Sequence, residues 1–191
     1  MIKFGWAAAG IAAASLAAPA PAQVQNQDPG RFIQSLAGTG LGALRGEKSA
    51  ARGKFRTLLA QHFAVDAIGD RLIRRWRPKI SQAQYAAYKA ALPGFIVGTY
   101  ADRLHAYADA SVKVVRVQSQ GNNAAVLTQI ANPGSRPVSA IWSVTKVGGG
   151  YKVTNLVVSG VNVTMAQTAD FDSFVQRNGF DALVEFMRRR G

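Results

Sequence analysis

The chain has 191 residues, 23 Lys and Arg against 10 Asp and Glu, a formal charge of +13 and no cysteine. Those figures exclude disulfide staples and thiolate-bound metal, so the fold must hold by packing alone. A pI near 10.8 calls for acidic partners: nucleic acid in the cytosol, anionic lipid head groups or acidic protein surfaces outside it.

Lys3 precedes an apolar run from Phe4 to Leu16 that closes on Ala17-Ala18-Pro19-Ala20-Pro21-Ala22, the layout of a secretory signal peptide. Residues 1–22 are expected to be cleaved and the mature chain to start at Gln23. The run is shorter than the roughly 20 residues that a membrane span needs, and no cysteine follows the cut to accept a lipid. Export points away from nucleic acid and towards anionic lipid or protein. About 169 residues then remain, enough for one domain with a real core, residues 23–191.

Gln23 to Pro29 are polar and unperiodic and read as a loose leader. From Arg31, the apolar residues Phe32, Ile33, Leu36, Leu41 and Leu44 fall at helical spacing, interrupted by Gly38, Gly40 and Gly42. A second helix fits Ser49 to His62, with Phe55, Leu58, Leu59 and Phe63 on one stripe and Arg52, Lys54 and Arg56 on the other. Asp66 reads as the N-cap of a third helix carrying Ile68, Leu72 and Ile73. Pro78 stops it, and Ser81 starts a longer helix through Tyr85, Tyr88, Leu92, Phe95, Ile96, Tyr100 and Leu104, with a bend expected at Pro93.

After Tyr107 the period changes to alternation. Val112, Val114 and Val117, then Ala125, Leu127 and Ile130, read as two strands joined at Gly121-Asn122-Asn123. Val138 to Val147 and Tyr151 to Ser159 make two more, with turns at Asn132-Pro133-Gly134 and Gly148-Gly149-Gly150. Short turns predict an antiparallel sheet. Asn162 reads as the cap of a helix bearing Val163, Phe171, Phe174 and Val175, closed by Asn178-Gly179. A last helix, Asp181 to Arg190, ends in three arginines that suit the negative end of its dipole. The whole predicts an α+β domain: a helix-rich first half on one face of a four-stranded or slightly larger antiparallel sheet, with closing helices.

Catalytic groupings are sparse. His62 and His105 stand alone at helix ends without the spacing of a metal pair, and Asp170 and Asp172 do not share a helix face. No nucleophile elbow or phosphate loop is present, and Gly148-Gly149-Gly150 leads into a strand rather than a helix. The expectation is no catalysis, no metal and no cofactor. If an enzyme or small-ligand receptor were built here, Asp102, Tyr100 and His105 would be its nearest acid/base candidates; a basic exported adaptor with no ligand is the other alternative.

Several blocks resemble one family in order and spacing. They are Phe55-Arg56-Thr57-Leu58-Leu59 with Phe63-Ala64-Val65-Asp66-Ala67-Ile68, Trp76-Arg77, Ser81-Gln82-Ala83-Gln84, and Thr99-Tyr100-Ala101-Asp102-Arg103-Leu104. Gly150-Tyr151-Lys152-Val153, Val157-Val158-Ser159-Gly160-Val161, Phe171 and Gly179-Phe180-Asp181-Ala182-Leu183 follow. Together they resemble the MlaC, or toluene-tolerance, family: the periplasmic phospholipid-binding component of the system that maintains outer-membrane lipid asymmetry. Asn155, Ser159 and Pro93 depart from that pattern.

The resemblance implies an NTF2-like cone with an apolar pocket between sheet and helices and acyl chains buried within it. Its lining would come from Phe63, Ile68, Leu72, Phe95, Tyr100 and Leu104 of the helices and from Val126, Val138, Trp142, Val144, Val153 and Val157 of the sheet. The implied protein is a periplasmic, monomeric carrier of phospholipid as cargo. It would move between an inner-membrane Mla ABC transporter complex and an outer-membrane Mla lipoprotein complex, touching the membrane surface transiently; a hopanoid or another hydrophobic small molecule is the alternative cargo. Release would need a partner to open the pocket, with Gly179 or Pro93 as hinges.

Overall fold

Between residues 24 and 191, the stretch that the computed structural model describes, helices and strands follow one another in blocks. The expected signal peptide, residues 1–22, lies outside that stretch. Helix α1 (Pro29–Ala43) starts where the Asp28 side chain accepts the Arg31 amide at 2.8 Å and proline takes a first-turn position, a place where its missing N–H costs nothing. The segment read as a loose leader is tied down from Val24 onward. Val24 packs on the sheet, the Gln25 amide donates to Ser35 Oγ at 2.9 Å, and Asn26 Oδ1 accepts the Tyr151 amide.

Helix α2 (Lys48–His62) sends Leu58 towards the sheet and Leu59 towards the long helix that follows. Helix α3 (Val65–Leu72) is capped by Ala64, not Asp66. Asp66 is the second residue of the helix, where a carboxylate still favours the positive helix end, and it pairs with Lys89. A 3-10 turn at Arg77–Lys79 holds Pro78 and leads into helix α4 (Gln82–His105). Ser81 and Gln84 form a reciprocal capping box there, Ser81 Oγ accepting the Gln84 amide at 3.1 Å and Gln84 Oε1 the Ser81 amide at 2.9 Å. Two amides that lack helical partners are thereby satisfied. Helix α4 stays helical across Pro93.

Strands β1 (Ser111–Gln120), β2 (Asn123–Ala131), β3 (Val138–Val147), β4 (Gly150–Val158) and β5 (Val161–Asn162) form one antiparallel meander in sequence order. The fifth strand is two residues long, too short to show alternation, which is why Asn162 reads only as a helix cap. Asn162 does both: its side chain accepts the Met165 amide at 3.1 Å and starts helix α5 (Val163–Asn178). Helix α6 (Phe180–Arg190) follows Gly179, whose φ of 83° is the left-handed conformation that glycine tolerates.

The sheet's covered face carries Ala124, Val126 and Thr128 of β2, Ala140, Trp142 and Val144 of β3, and Val153 of β4. Val126, expected on the inner side of β2, is buried there, while Ala125, Leu127 and Ile130, the apolar residues that mark the strand in the sequence, do not belong to this row. One residue of register exchanges the faces of a strand, and the alanine pair 124–125 hides which set is inward. Thr128 is the polar exception; its hydroxyl accepts the Trp142 indole N–H at 3.0 Å and donates to the Ala140 carbonyl at 3.3 Å. The free edge of β4 is closed by the chain itself, since the Ala64 amide donates to the Val153 carbonyl at 2.9 Å beside a parallel Phe63–Val153 bridge.

Two apolar layers result. One joins Phe32, Ile33 and Leu36 of α1 to the covered sheet face; the other joins Leu72, Tyr88, Leu92, Phe95, Phe171, Leu183 and Met187 of α3 to α6. Helix α6 comes so close to α4 that a Cβ on Gly98 would stand 1.7 Å from the Arg190 carbonyl oxygen. Gly98→Ala should therefore cost about 1–3 kcal/mol. At Gly38, inside α1 with nothing within 4 Å, alanine should stabilise by about 0.4–1 kcal/mol. Urea midpoints of the two variants, moving in opposite directions, check both statements.

Candidate functional site

Three helices leave a half-open groove of about 520 Å³ between them, within the roughly 300–1,000 Å³ usual for ligand sites. Phe95, Thr99 and Arg103 of α4 lie four residues apart, so helical geometry sets them in one row. Gln167, Asp170, Phe171 and Phe174 of α5 face that row, and Leu183, Phe186 and Arg190 of α6 close the side. The floor is aromatic, with ring centroids of Phe95 and Phe171 5.4 Å apart, Phe95 and Phe186 6.0 Å, and Phe174 and Phe186 5.1 Å. Val161, more than half exposed, stands at the edge.

Charge around the groove is unbalanced. Arg103, Arg177 and Arg190 line it against the single carboxylate of Asp170, and among the described residues none of the three arginines joins an ion pair. The Thr99 hydroxyl is buried without a hydrogen-bond partner. Tyr100 donates its hydroxyl to Gln167 Oε1 at 3.4 Å, and burial raises its pKa, with Arg103 pulling the other way. A cationic rim over an apolar floor takes an amphiphile: hydrocarbon below, anionic group at the edge.

Of the residues expected to line a pocket, Phe95 and Tyr100 line this groove. Leu72 is buried in the helical layer and Ile68 packs on it. Val126, Val144 and Val153 are buried in the sheet layer, with Trp142 and Phe63 packed against them; Phe63 also touches the cluster of Leu59, Val97 and Ala101. Val138 pairs with Ile130 and is half-buried, as is Leu104 near the end of α4. Val157 pairs with Ile141, which is 42 % exposed, on the opposite sheet face from Trp142. A bulge between Ser143 and Val144 causes this, because it puts Val153 and Leu156, three residues apart, on one face. Thr99, Arg103, Phe186 and Arg190 were not among the expected residues. Their signal in the sequence is the four-residue spacing along α4 and α6, which says that they share a face and not what that face meets.

The acid/base candidates do not gather. Asp102 is held by Arg52 through bonds of 2.6 and 3.2 Å, and that hydrogen bonding lowers its pKa. Among the described residues no three His, Cys, Asp or Glu side chains are placed to hold a metal, and no helix is long and apolar enough to cross a membrane. Burial lowers the pKa of His62, with Lys152 adding to the effect, and its Nδ1 has no partner.

The fold and groove define an α+β protein of the ligand-holding kind. The family model described as MlaC protein matches residues 39–189, and the chain belongs to the MlaC family. It is similar in structure to a phospholipid-binding protein from Ralstonia solanacearum, solved at 1.53 Å in complex with a phospholipid. The TM-score is 0.71 at 18% identity, over 85% of this chain and 96% of the other. No curated protein matches the sequence.

The histidine gives a pH test. Unfolded, His62 protonates near the usual value of about 6.5; folded, it resists until lower pH. Its contribution is complete above that value and is lost as pH falls below it. Wild-type Tm should therefore decline between pH 7.5 and 5.5, and His62→Gln should flatten the decline; equal slopes for both would contradict the assignment.

Proposed function

We propose that this protein is a periplasmic phospholipid carrier, working between an inner-membrane ABC transporter complex and an outer-membrane lipoprotein complex of the Mla type. The observation that carries the reading is the aromatic-floored, arginine-rimmed groove between α4, α5 and α6 in a chain of the MlaC family. The solved relative from Ralstonia solanacearum, bound to a phospholipid, supports the same cargo. The reading is of binding and transport, with the lipid as passenger and no bond made or broken.

Size sets how the cargo sits. From Phe95 to Arg103 the groove follows α4 for about 12 Å at 1.5 Å per residue, close to the roughly 15 Å that one acyl chain occupies in half a bilayer. The groove therefore takes most of one chain, with Arg103 beyond the Tyr100–Gln167 contact at one end and Arg177 beyond Phe174 at the other, either of which can meet the phosphate. The second chain enters the seam beside it, where the sheet layer meets α4 at Phe63, and requires the two layers to part. Val126, Trp142, Val144 and Val153 then become its far wall. Each buried methylene is worth about 0.8 kcal/mol, so exposing two chains costs on the order of 20 kcal/mol, and an uncovered lipid does not cross water at a useful rate.

Native mass spectrometry of protein purified gently from the periplasm tests the proposal. A bound species with the mass of a phospholipid is expected. Ser173→Trp, which fills the groove, should lower occupancy by about tenfold, the equivalent of some two methylenes. An empty protein, or full occupancy in the variant, would contradict the reading.

A further inference from the structure

Residues 71–79 carry five cations, Arg71, Arg74, Arg75, Arg77 and Lys79. The segment spans the end of α3 and the 3-10 turn; Leu72 and Ile73 are buried and fix it to the helical layer, while Arg71, Arg74, Arg75 and Lys79 are exposed. Among the described residues none of the five forms an ion pair. Carboxylates lie close by, yet other donors take them. Asp70 accepts the Tyr85 hydroxyl at 2.6 Å, Asp172 accepts the Trp76 indole N–H at 2.6 Å, and Asp66 pairs with Lys89.

Three of the five stand over two rings. Arg75 and Lys79 lie 5.2 and 5.4 Å from the Trp76 centroid, and Arg77 lies 3.9 Å from that of Tyr85. Cation–π contacts orient these side chains without neutralising them, and Pro78 stiffens the backbone beneath. The product is a rigid, multivalent positive patch with aromatic rings among the charges. That composition suits the head-group region of a membrane, where cations meet phosphates and aromatic rings settle at the boundary.

We infer that residues 71–79 form a docking surface for an anionic bilayer. The patch is continuous with the groove through α5. Asp172 holds Trp76, and the Gln176 side-chain amide lies 2.6 and 2.9 Å from the Arg75 guanidinium, while neighbouring Ser173, Phe174 and Arg177 line the groove. A protein docked by this patch presents that end of the groove to the membrane. Docking itself does not depend on what the groove holds.

The test is co-sedimentation of the full chain with vesicles of phosphatidylcholine alone or mixed with phosphatidylglycerol. Binding is expected to the mixed vesicles only, and to vanish near 1 M salt, where charges are screened beyond about 3 Å. Arg74→Gln with Lys79→Gln should weaken partitioning by about 30-fold, at about 1 kcal/mol for each cation near the surface. Arg188→Gln with Arg189→Gln removes the same charge from α6 and should weaken it less than about threefold. Circular dichroism shows whether both doubles fold. Three results would overturn the inference: no binding to anionic vesicles, equal losses in the two doubles, or capture by polyglutamate beads without vesicle binding.

Discussion

Helix α4 is packed on several sides at once, and the other elements take their places from it. Tyr88, Ala91 and Leu92 belong to the layer shared with α3, α5 and α6, while Val97 and Ala101 face Leu59 of α2. Gly94 and Gly98 admit α6 at backbone distance. With α6 fixed there, Thr99 and Arg103 are left partly uncovered above the buried Phe95, and the groove runs along that row. Since the chain has no cysteine, no disulfide maintains this spacing; packing does, with the Tyr100–Gln167 and Gln84–Asp181 hydrogen bonds.

A half-open groove suits a carrier better than a sealed cavity. Full enclosure of two chains would bury on the order of 20 kcal/mol of hydrocarbon and make release slow without help. The α6 wall joins α5 through Gly179, in a conformation that side-chain-bearing residues rarely adopt. Exposed Val161 at the edge of the groove supplies apolar surface that a chain can meet before it is covered.

Much of the architecture was legible in local chemistry. Ser81 and Gln84 announce their capping box three residues apart, Asn162 and Gly179 bracket α5, and Gly121 and Gly148 take the positive φ of their turns. What escaped depends on partners remote in the chain. Asp66 has the chemistry of a cap but lies inside its helix, because the Ala64 carbonyl already accepts the Ile68 amide and starts the helix there. The bulge beside Val144 resets parity in β4, so that Val157 leaves the face of Trp142. The candidate site was the least legible part. Its walls come from α4, α5 and α6, and the periodicity of each helix shows a face without showing which face it meets.

The central claim is that lipid lies in the groove and the seam beside it. The most direct measurement is photo-crosslinking with a phospholipid that bears a diazirine in its acyl chain, followed by mass-spectrometric mapping of adducts. The account predicts adducts on Phe95, Thr99, Phe174 and Phe186, with further ones at Phe63 or Trp142 from the second chain. Adducts confined to the open sheet face, at Leu127 and Ile141, would contradict it.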